Sequence, residues 1–255
     1  MCKAKKILQI CFLSACLLLA SMGTVFAEES GSEAEEEFNT GYDLCNVQKD
    51  YEASIVHFSK SIELAPNQAV SYANRGLAYA VLGWYGAALQ DENKAIELDQ
   101  NNPMAYTTRA YARSQLKQYD AALIDYNKAV ELDANGFDTY FGRSNLYREL
   151  GFLTKALSDS NKLTEIAPQN PQSYLCRGWI YADLRDYQHA SADFDRVIAL
   201  NAKSAEAYWG KGLALYSLKY YSDAKLSFQK AIALDPKLAN YTAQFPAVFP
   251  PKFYR

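Results

Sequence analysis

Catalytic chemistry has few candidates in this sequence. The chain has two histidines, His57 and His189. They fall at different phases of the local apolar period, so neither a metal site nor a Ser-His or Cys-His nucleophile pair can be assembled around them. No glycine-rich phosphate loop, no HExxH string and no GxSxG string occurs. The chain therefore reads as a non-enzyme with no cofactor and no metal. Basic charge is lacking too: 26 Lys and Arg stand against 29 Asp and Glu, and no basic stripe of the kind that nucleic acid requires is present. Of five cysteines, Cys2, Cys11 and Cys16 lie near the N-terminus, which leaves Cys45 and Cys176 and no disulfide framework.

The single long apolar run is N-terminal. Lys3, Lys5 and Lys6 precede a stretch from Ile7 to about Ala20, and Val25-Phe26-Ala27 precedes Glu28. Small residues at minus three and minus one fit signal-peptidase cleavage after Ala27. Two other readings stay open. Ile7 to Ala27 is long enough to cross a bilayer of about 30 Å as a retained anchor, and Leu13-Ser14-Ala15-Cys16 resembles a bacterial lipobox with Cys16 as the lipidated residue. Each of the three exports the remainder to a periplasmic or secreted location, with membrane contact only through this segment. Cleavage takes three lysines and no acid with it, leaving 23 basic against 29 acidic side chains, a balance of −6. Residues 28–34 and the first turn beyond them hold Glu28, Glu29, Glu33, Glu35, Glu36 and Glu37, an acidic leader expected to be a solvated tether.

What the sequence has in abundance is periodicity. Pro66, Pro168 and Pro236 are separated by multiples of 34 residues, and that period divides residues 35–238 into six units beginning at Glu35, Ala69, Pro103, Phe137, Pro171 and Ala205. The fourth position carries Phe38, Tyr72, Tyr106, Tyr140, Tyr174 and Tyr208; the thirtieth carries Leu64, Leu98, Leu132, Ile166, Leu200 and Leu234. Position 20 is small in every unit, and position 17 is tyrosine in all but Leu153. Apolar residues at positions 4, 8, 11 and 14, and again at 20, 24, 27 and 28, predict two amphipathic helices per unit, A and B. Gly83 and Gly151 punctuate the first turn; the prolines and Asn135-Gly136 punctuate the second. One unit cannot bury its apolar face alone, so the units must stack.

The strings YANRGLAYAVLG, NKAIELD, YWGKGLALYSL and FQKAIALDP resemble the signature of the tetratricopeptide repeat (TPR) family, and the resemblance covers residues 35–238. It implies an all-α, right-handed superhelical solenoid of six helix-turn-helix repeats whose function is to bind protein. Arginine at position seven (Arg75, Arg109, Arg143, Arg177, with Lys211) and aspartate at position 23 (Asp91, Asp125, Asp159, Asp193) look like a bacterial-type subclass. They are expected to form an ion-pair seam along the stack, each exposed pair contributing about 0–1 kcal/mol. Glu92 and Ser160 stand at position 24, where Phe58, Tyr126, Phe194 and Phe228 supply rings elsewhere. The expectation is that these two slots are partly exposed; the sharper alternative is that they soften the stack. Cys45 and Cys176, on the first and fifth repeats, are expected to be buried small hydrophobes.

In this family the A helices line a concave groove, which places positions 2, 5, 6, 9, 12 and 13 toward a ligand. The carboxylate clamp that grips a chaperone tail needs a Lys, Asn, Asn, Lys, Arg set absent here, and only Asn74 fits an asparagine ladder. The candidate protein-binding groove is therefore Asn74, Leu77, Tyr111, Phe141, Asn145, Trp179, Trp209 and Tyr216, fringed by Asp138, Glu149, Asp183 and Glu206. Aromatic anchors with a polar fringe suit an apolar, somewhat basic peptide or helix; the competing reading packs some of these rings within their own repeats. The tail, residues 239–255, breaks the helical pattern at Pro246, Pro250 and Pro251 and is rich in aromatics. It is expected to cover the last repeat, to compete for the groove, or to fray. The functional expectation is an exported scaffold or adaptor, the alternative an accessory subunit of an envelope enzyme or assembly machine, with homodimerisation through the C-terminal end left open.

Overall fold

The computed structural model describes residues 33–245 together with 247 and 248. The export segment read from residues 1–27, most of the acidic leader and the final residues 249–255 lie outside the described residues. All elements among the described residues are helical, and none of these helices is long and apolar enough to cross a membrane. Two compact units divide the chain between Gly142 and Arg143. The first holds α1 (Glu33–Asp43), a π-helical turn (Leu44–Gln48), α2 (Tyr51–Leu64), α3 (Ala69–Val81), α4 (Tyr85–Leu98), α5 (Pro103–Gln115), α6 (Tyr119–Leu132) and the start of α7 (Phe137–Glu149). The second continues with α8 (Leu153–Ile166), α9 (Pro171–Asp183), α10 (Tyr187–Leu200), α11 (Ala205–Ser217), α12 (Tyr221–Leu234) and a 3-10 stretch, Pro236–Gln244.

The repetition of sequence becomes a repetition of helix ends. The A helices α3, α5, α7, α9 and α11 each span 13 residues, and the B helices α2, α4, α6, α8, α10 and α12 each span 14. Asn102, Asn170 and Ser204 cap A helices by accepting from backbone N–H groups of Ala105, Gln172 and Ala207. Pro103 and Pro171 occupy the first turn, where no N–H is missed. Each A helix ends in a left-handed residue at position 15: Gly83 and Gly151, but also Lys49, Lys117, Arg185 and Lys219, with φ between 60° and 82°. Four of the six A-to-B turns thus place a bulky side chain where glycine is favoured.

Small residues set the distance between paired helices. Position 20, as Ser54, Ala88, Ala122, Ala156, Ala190 and Ala224, has no exposed surface. At position 8, Gly178 and Gly212 lie against Phe194 and Phe228; a Cβ on Gly212 would come 2.6 Å from the Phe228 ring. Across repeats, a Cβ on Gly142 would meet the Tyr126 hydroxyl at 2.3 Å and one on Gly210 the Phe194 ring at 2.5 Å. The residue at position 24 is therefore clamped between its own A helix and the next.

Two expectations about polar residues change. The Arg/Asp ladder is not a row of exposed pairs: Asp91, Asp125, Asp159 and Asp193 are buried, and each accepts two bonds from the arginine of its own repeat, as Asp125 does from Arg109 Nε at 2.9 Å and Nη2 at 2.7 Å. The remaining amine of the guanidinium reaches back to the preceding repeat, from Arg75 to Ser59, Arg109 to Asn93 and Arg177 to Asn161. Lys211, whose repeat has Ser227 in place of the aspartate, bonds Asp195 instead. Glu92 and Ser160, expected to be partly exposed, are both fully buried. The clamp at position 24 closes over whatever side chain stands there, so polarity does not bring it to the surface. Ser160 donates to the Leu157 carbonyl; both Glu92 carboxyl oxygens lack a partner. Cys45 and Cys176 are buried free thiols, and burial raises the Cys176 thiol to about 11.

Candidate binding face on the A helices

In the first unit the stripe expected to face a ligand is largely occupied by packing. Asn74, Leu77, Tyr111 and Phe141 are all buried. Asn74 turns its amide onto the Val70 carbonyl of its own helix at 2.9 Å. Tyr111 packs edge-on to Tyr85 at 6.0 Å between ring centroids, and Phe141 stacks on Phe137 at 6.1 Å. Tyr111, at position 9, leans on position 17 of the preceding repeat, and Phe141, at position 5, leans on position 1 of its own helix. Beside them, burial raises Asp138 to about 7, and it raises the Tyr111 and Tyr126 hydroxyls as well.

The second unit leaves its stripe half open: Asn145, Trp179, Trp209 and Tyr216 are all partly exposed. Trp179, on α9, is fixed on three sides. Its indole Nε1 donates to Glu206 Oε1 on α11 at 2.8 Å, the Arg148 guanidinium lies over the ring at 6.0 Å, and Phe194 meets it edge-on at 5.1 Å. Arg148 is held in turn by Asp183. Burial raises the Glu206 carboxyl, and the indole bond and the Arg148 charge partly offset that rise. An aromatic face whose rotamer is locked by a carboxylate and a guanidinium costs little entropy when a partner lands on it.

Trp209 and Tyr216 face a different neighbour. The tail that follows the 3-10 stretch brings Phe245 to 5.9 Å from Trp209, 5.2 Å from Tyr216 and 4.9 Å from Phe228, stacked on the last. Val248 is buried in the same cluster, and Tyr241 stands 6.2 Å from Trp209. Of the three expectations for the tail, cover of the last repeat is what these residues show. Position counting could have found this contact: a seventh unit would begin at residue 239, so Phe245 falls within its missing A helix. The Glu206 bond to Trp179 carried no such signal, because neither position is special in one repeat alone.

Among the described residues no group of three or more His, Cys, Asp or Glu could hold a metal ion. His57 pairs with Glu37 at 2.7 Å, and His189 is exposed beside Asp186.

Three family models described as tetratricopeptide repeat match residues 69–102, 93–124 and 177–239. Serine/threonine-protein phosphatase 5 of Homo sapiens is 42% identical over 65 residues, 26% of this chain and 11% of that protein. The chain thus spans about a tenth of the length of the curated relatives it matches. Among solved structures, Pseudomonas aeruginosa pilF matches with a TM-score of 0.71 at 14% identity, covering 83% of this chain and 97% of that one. YrrB, described as a TPR protein with an unusual peptide-binding site, matches at 0.60 and 21% identity over 74% of this chain and 98% of its own.

Proposed function

For this chain of tetratricopeptide repeats, we propose a non-catalytic adaptor that works outside the cytoplasmic membrane and holds a peptide or helix of another protein on its A helices. The observation that carries the reading is Trp179: a partly exposed indole held by Glu206, Arg148 and Phe194 is a pre-organised anchor of the kind that dominates protein interfaces. Asn145, Trp209 and Tyr216 extend the contact face in the same unit. Asn74, Leu77, Tyr111 and Phe141 shape the corresponding face of the first unit from beneath. The peptide-binding site named for YrrB supports this reading. The partial match to phosphatase 5 lends no phosphatase activity, since it spans 65 residues. The export segment at residues 1–27, cleaved, retained or lipidated at Cys16, supports a place in the envelope or the secreted space.

The test is crosslinking pull-down from the native envelope with wild-type chain and with Trp179→Ala, checked for folding by circular dichroism. Loss of a specific partner is the expected result, and an unchanged partner set would move the contact to another surface. Recovery of one enzyme in fixed stoichiometry would convert the adaptor into an accessory subunit.

A further inference from the structure

The A helices build one pair of positions twice, a carboxylate at position 2 and an aromatic ring at position 9 of the repeat before it. In the second unit the pair is Glu206 and Trp179, and the indole Nε1 donates to the carboxylate at 2.8 Å. Position 12 of the fourth repeat adds Arg148 over the indole ring. The indole bond and the Arg148 charge together offset the rise that burial imposes on Glu206. This carboxylate therefore receives both a donor and a cation from its own chain.

Two repeats earlier, in the first unit, the residues at the same positions are Asp138, Tyr111 and Ala80. Tyr111 packs edge-on to Tyr85 and shares its hydroxyl hydrogen bond with that residue. Ala80, where the other unit has Arg148, is fully buried and brings no charge. The two arginines of α5, Arg109 and Arg113, are both bound to Asp125. Among the described residues no hydrogen bond or ion pair reaches Asp138, and burial raises its carboxyl with nothing to offset the rise. Asp138 is nevertheless partly exposed, and its place in the first turn of α7 favours a negative charge. Positions 2, 5, 6, 9, 12 and 13 of the second and third repeats carry no charge at all, and Val70, Val81 and Met104 among them are partly exposed. The first unit thus offers an apolar stripe with one carboxylate that is largely desolvated and lacks a cation, a costly state that a cation from outside would relieve.

We propose that Asp138 is the recognition point for a lysine or arginine side chain of the protein segment held on the A helices of the first unit. The proposal rests on the adaptor reading and names the partner's chemistry: apolar side chains against Val70, Val81 and Met104, and one cation against Asp138. The partner's ammonium or guanidinium plays toward Asp138 the part that Arg148 plays toward Glu206. A segment with a neutral or acidic residue at that place leaves the carboxylate unpaired and is rejected.

The probe is a phage-displayed library of random peptides, selected in parallel on full-length wild-type chain, Asp138→Asn and Asp138→Glu. Wild type and the Glu variant should enrich peptides in which Lys or Arg is flanked by apolar residues, and the Asn variant should not. The strongest wild-type peptide is then remade with citrulline for arginine, or norleucine for lysine, and titrated by fluorescence anisotropy. It should bind wild type about tenfold more weakly than its parent, and Asp138→Asn should bind parent and analogue alike. The comparison of parent with analogue on wild-type chain stands even if a variant folds poorly. Selected peptides without a basic residue, equal affinity of parent and analogue for wild type, or the same loss on Asp138→Asn overturns the proposal. Selection of no peptide at all overturns the adaptor reading together with this site. Trp179→Ala should select the same basic peptides, so an unchanged partner set in the pull-down with that variant bears on the anchor in the second unit and not on Asp138.

Discussion

Glu92 is the residue whose replacement should change stability most informatively. It occupies position 24 of the second repeat, packed onto Gly76 so closely that a Cβ there would lie 2.5 Å from its Oε1. It is fully buried, neither carboxyl oxygen has a partner, and the Thr108 hydroxyl in the same unit is also buried and unpartnered. Burial raises its pKa well above the usual carboxylate value; the Asp91 charge adds to the rise and the Arg109 charge opposes it. Glu92→Met keeps the length of the side chain and removes the unsatisfied polar group. Leaving such a group buried costs about 1–3 kcal/mol, so the variant should be more stable than wild type by that amount at neutral pH. In a chain of this size this corresponds to a rise in Tm of about 2–12 °C.

The pH dependence isolates the cause. A carboxyl whose folded pKa lies above its unfolded value of about 4.3 contributes its full stability below that pH and loses it as pH rises toward the folded value. Within this window wild type should lose about 1.4 kcal/mol per pH unit relative to Glu92→Gln, which has the same shape and does not titrate. Asp138, raised to about 7 by burial, has the same sign but is common to both proteins and cancels in the difference. Urea denaturation of wild type, Glu92→Gln and Glu92→Met from pH 4 to pH 8 measures it. Parallel curves for wild type and the Gln variant would show that Glu92 finds a partner or solvent in solution, and the argument from burial would fail.

Other positions give equally direct tests. Lys117, at φ 62°, should tolerate glycine: Lys117→Gly is expected to stabilise by about 0.5–1 kcal/mol in denaturant titrations, whereas Lys117→Val should destabilise. Asp125 is 2% exposed and accepts from both Arg109 and Arg113; Asp125→Ala leaves two guanidinium groups without their anion and should cost about 3–5 kcal/mol, read by thermal and urea midpoints. Gly142→Ala brings a methyl into the Tyr126 hydroxyl and should cost about 1–3 kcal/mol, part of which Tyr126→Leu recovers in the double variant.

The periodic part of the fold was legible because every repeat solves the same packing problem. Position 20 must be small for A and B helices to touch, and one column of Ser and Ala states this six times over. Positions that solve a problem once carried no such statement. The left-handed residue at position 15 was visible only where it is glycine, at Gly83 and Gly151, since lysine and arginine do not signal a left-handed turn. The aspartates of the ladder looked exposed because the column records their charge and not their burial, and burial comes from the B helix turning position 23 toward its own A helix. Glu92 looked exposed for the same reason.

The A-helix stripe shows where a column argument ends. Positions 5 and 9 have no fixed environment: Tyr111 finds Tyr85, Trp179 finds Glu206 on the next A helix, and Trp209 finds Phe245 from beyond the last repeat. The stripe is therefore buried core in one unit and partly exposed surface in the other, although its sequence is aromatic in both. What separates the two is the partner supplied by the neighbouring element, which is encoded at another position. Aromatic content marked out the stripe, but the setting of Trp179 depends on Glu206 and Arg148, two charged residues that lie 27 and 31 positions from it. The environment of an aromatic residue on this stripe is thus specified by departures from the repeat, and those departures gain meaning in pairs: Trp179 with Glu206, and Trp209 with Phe245.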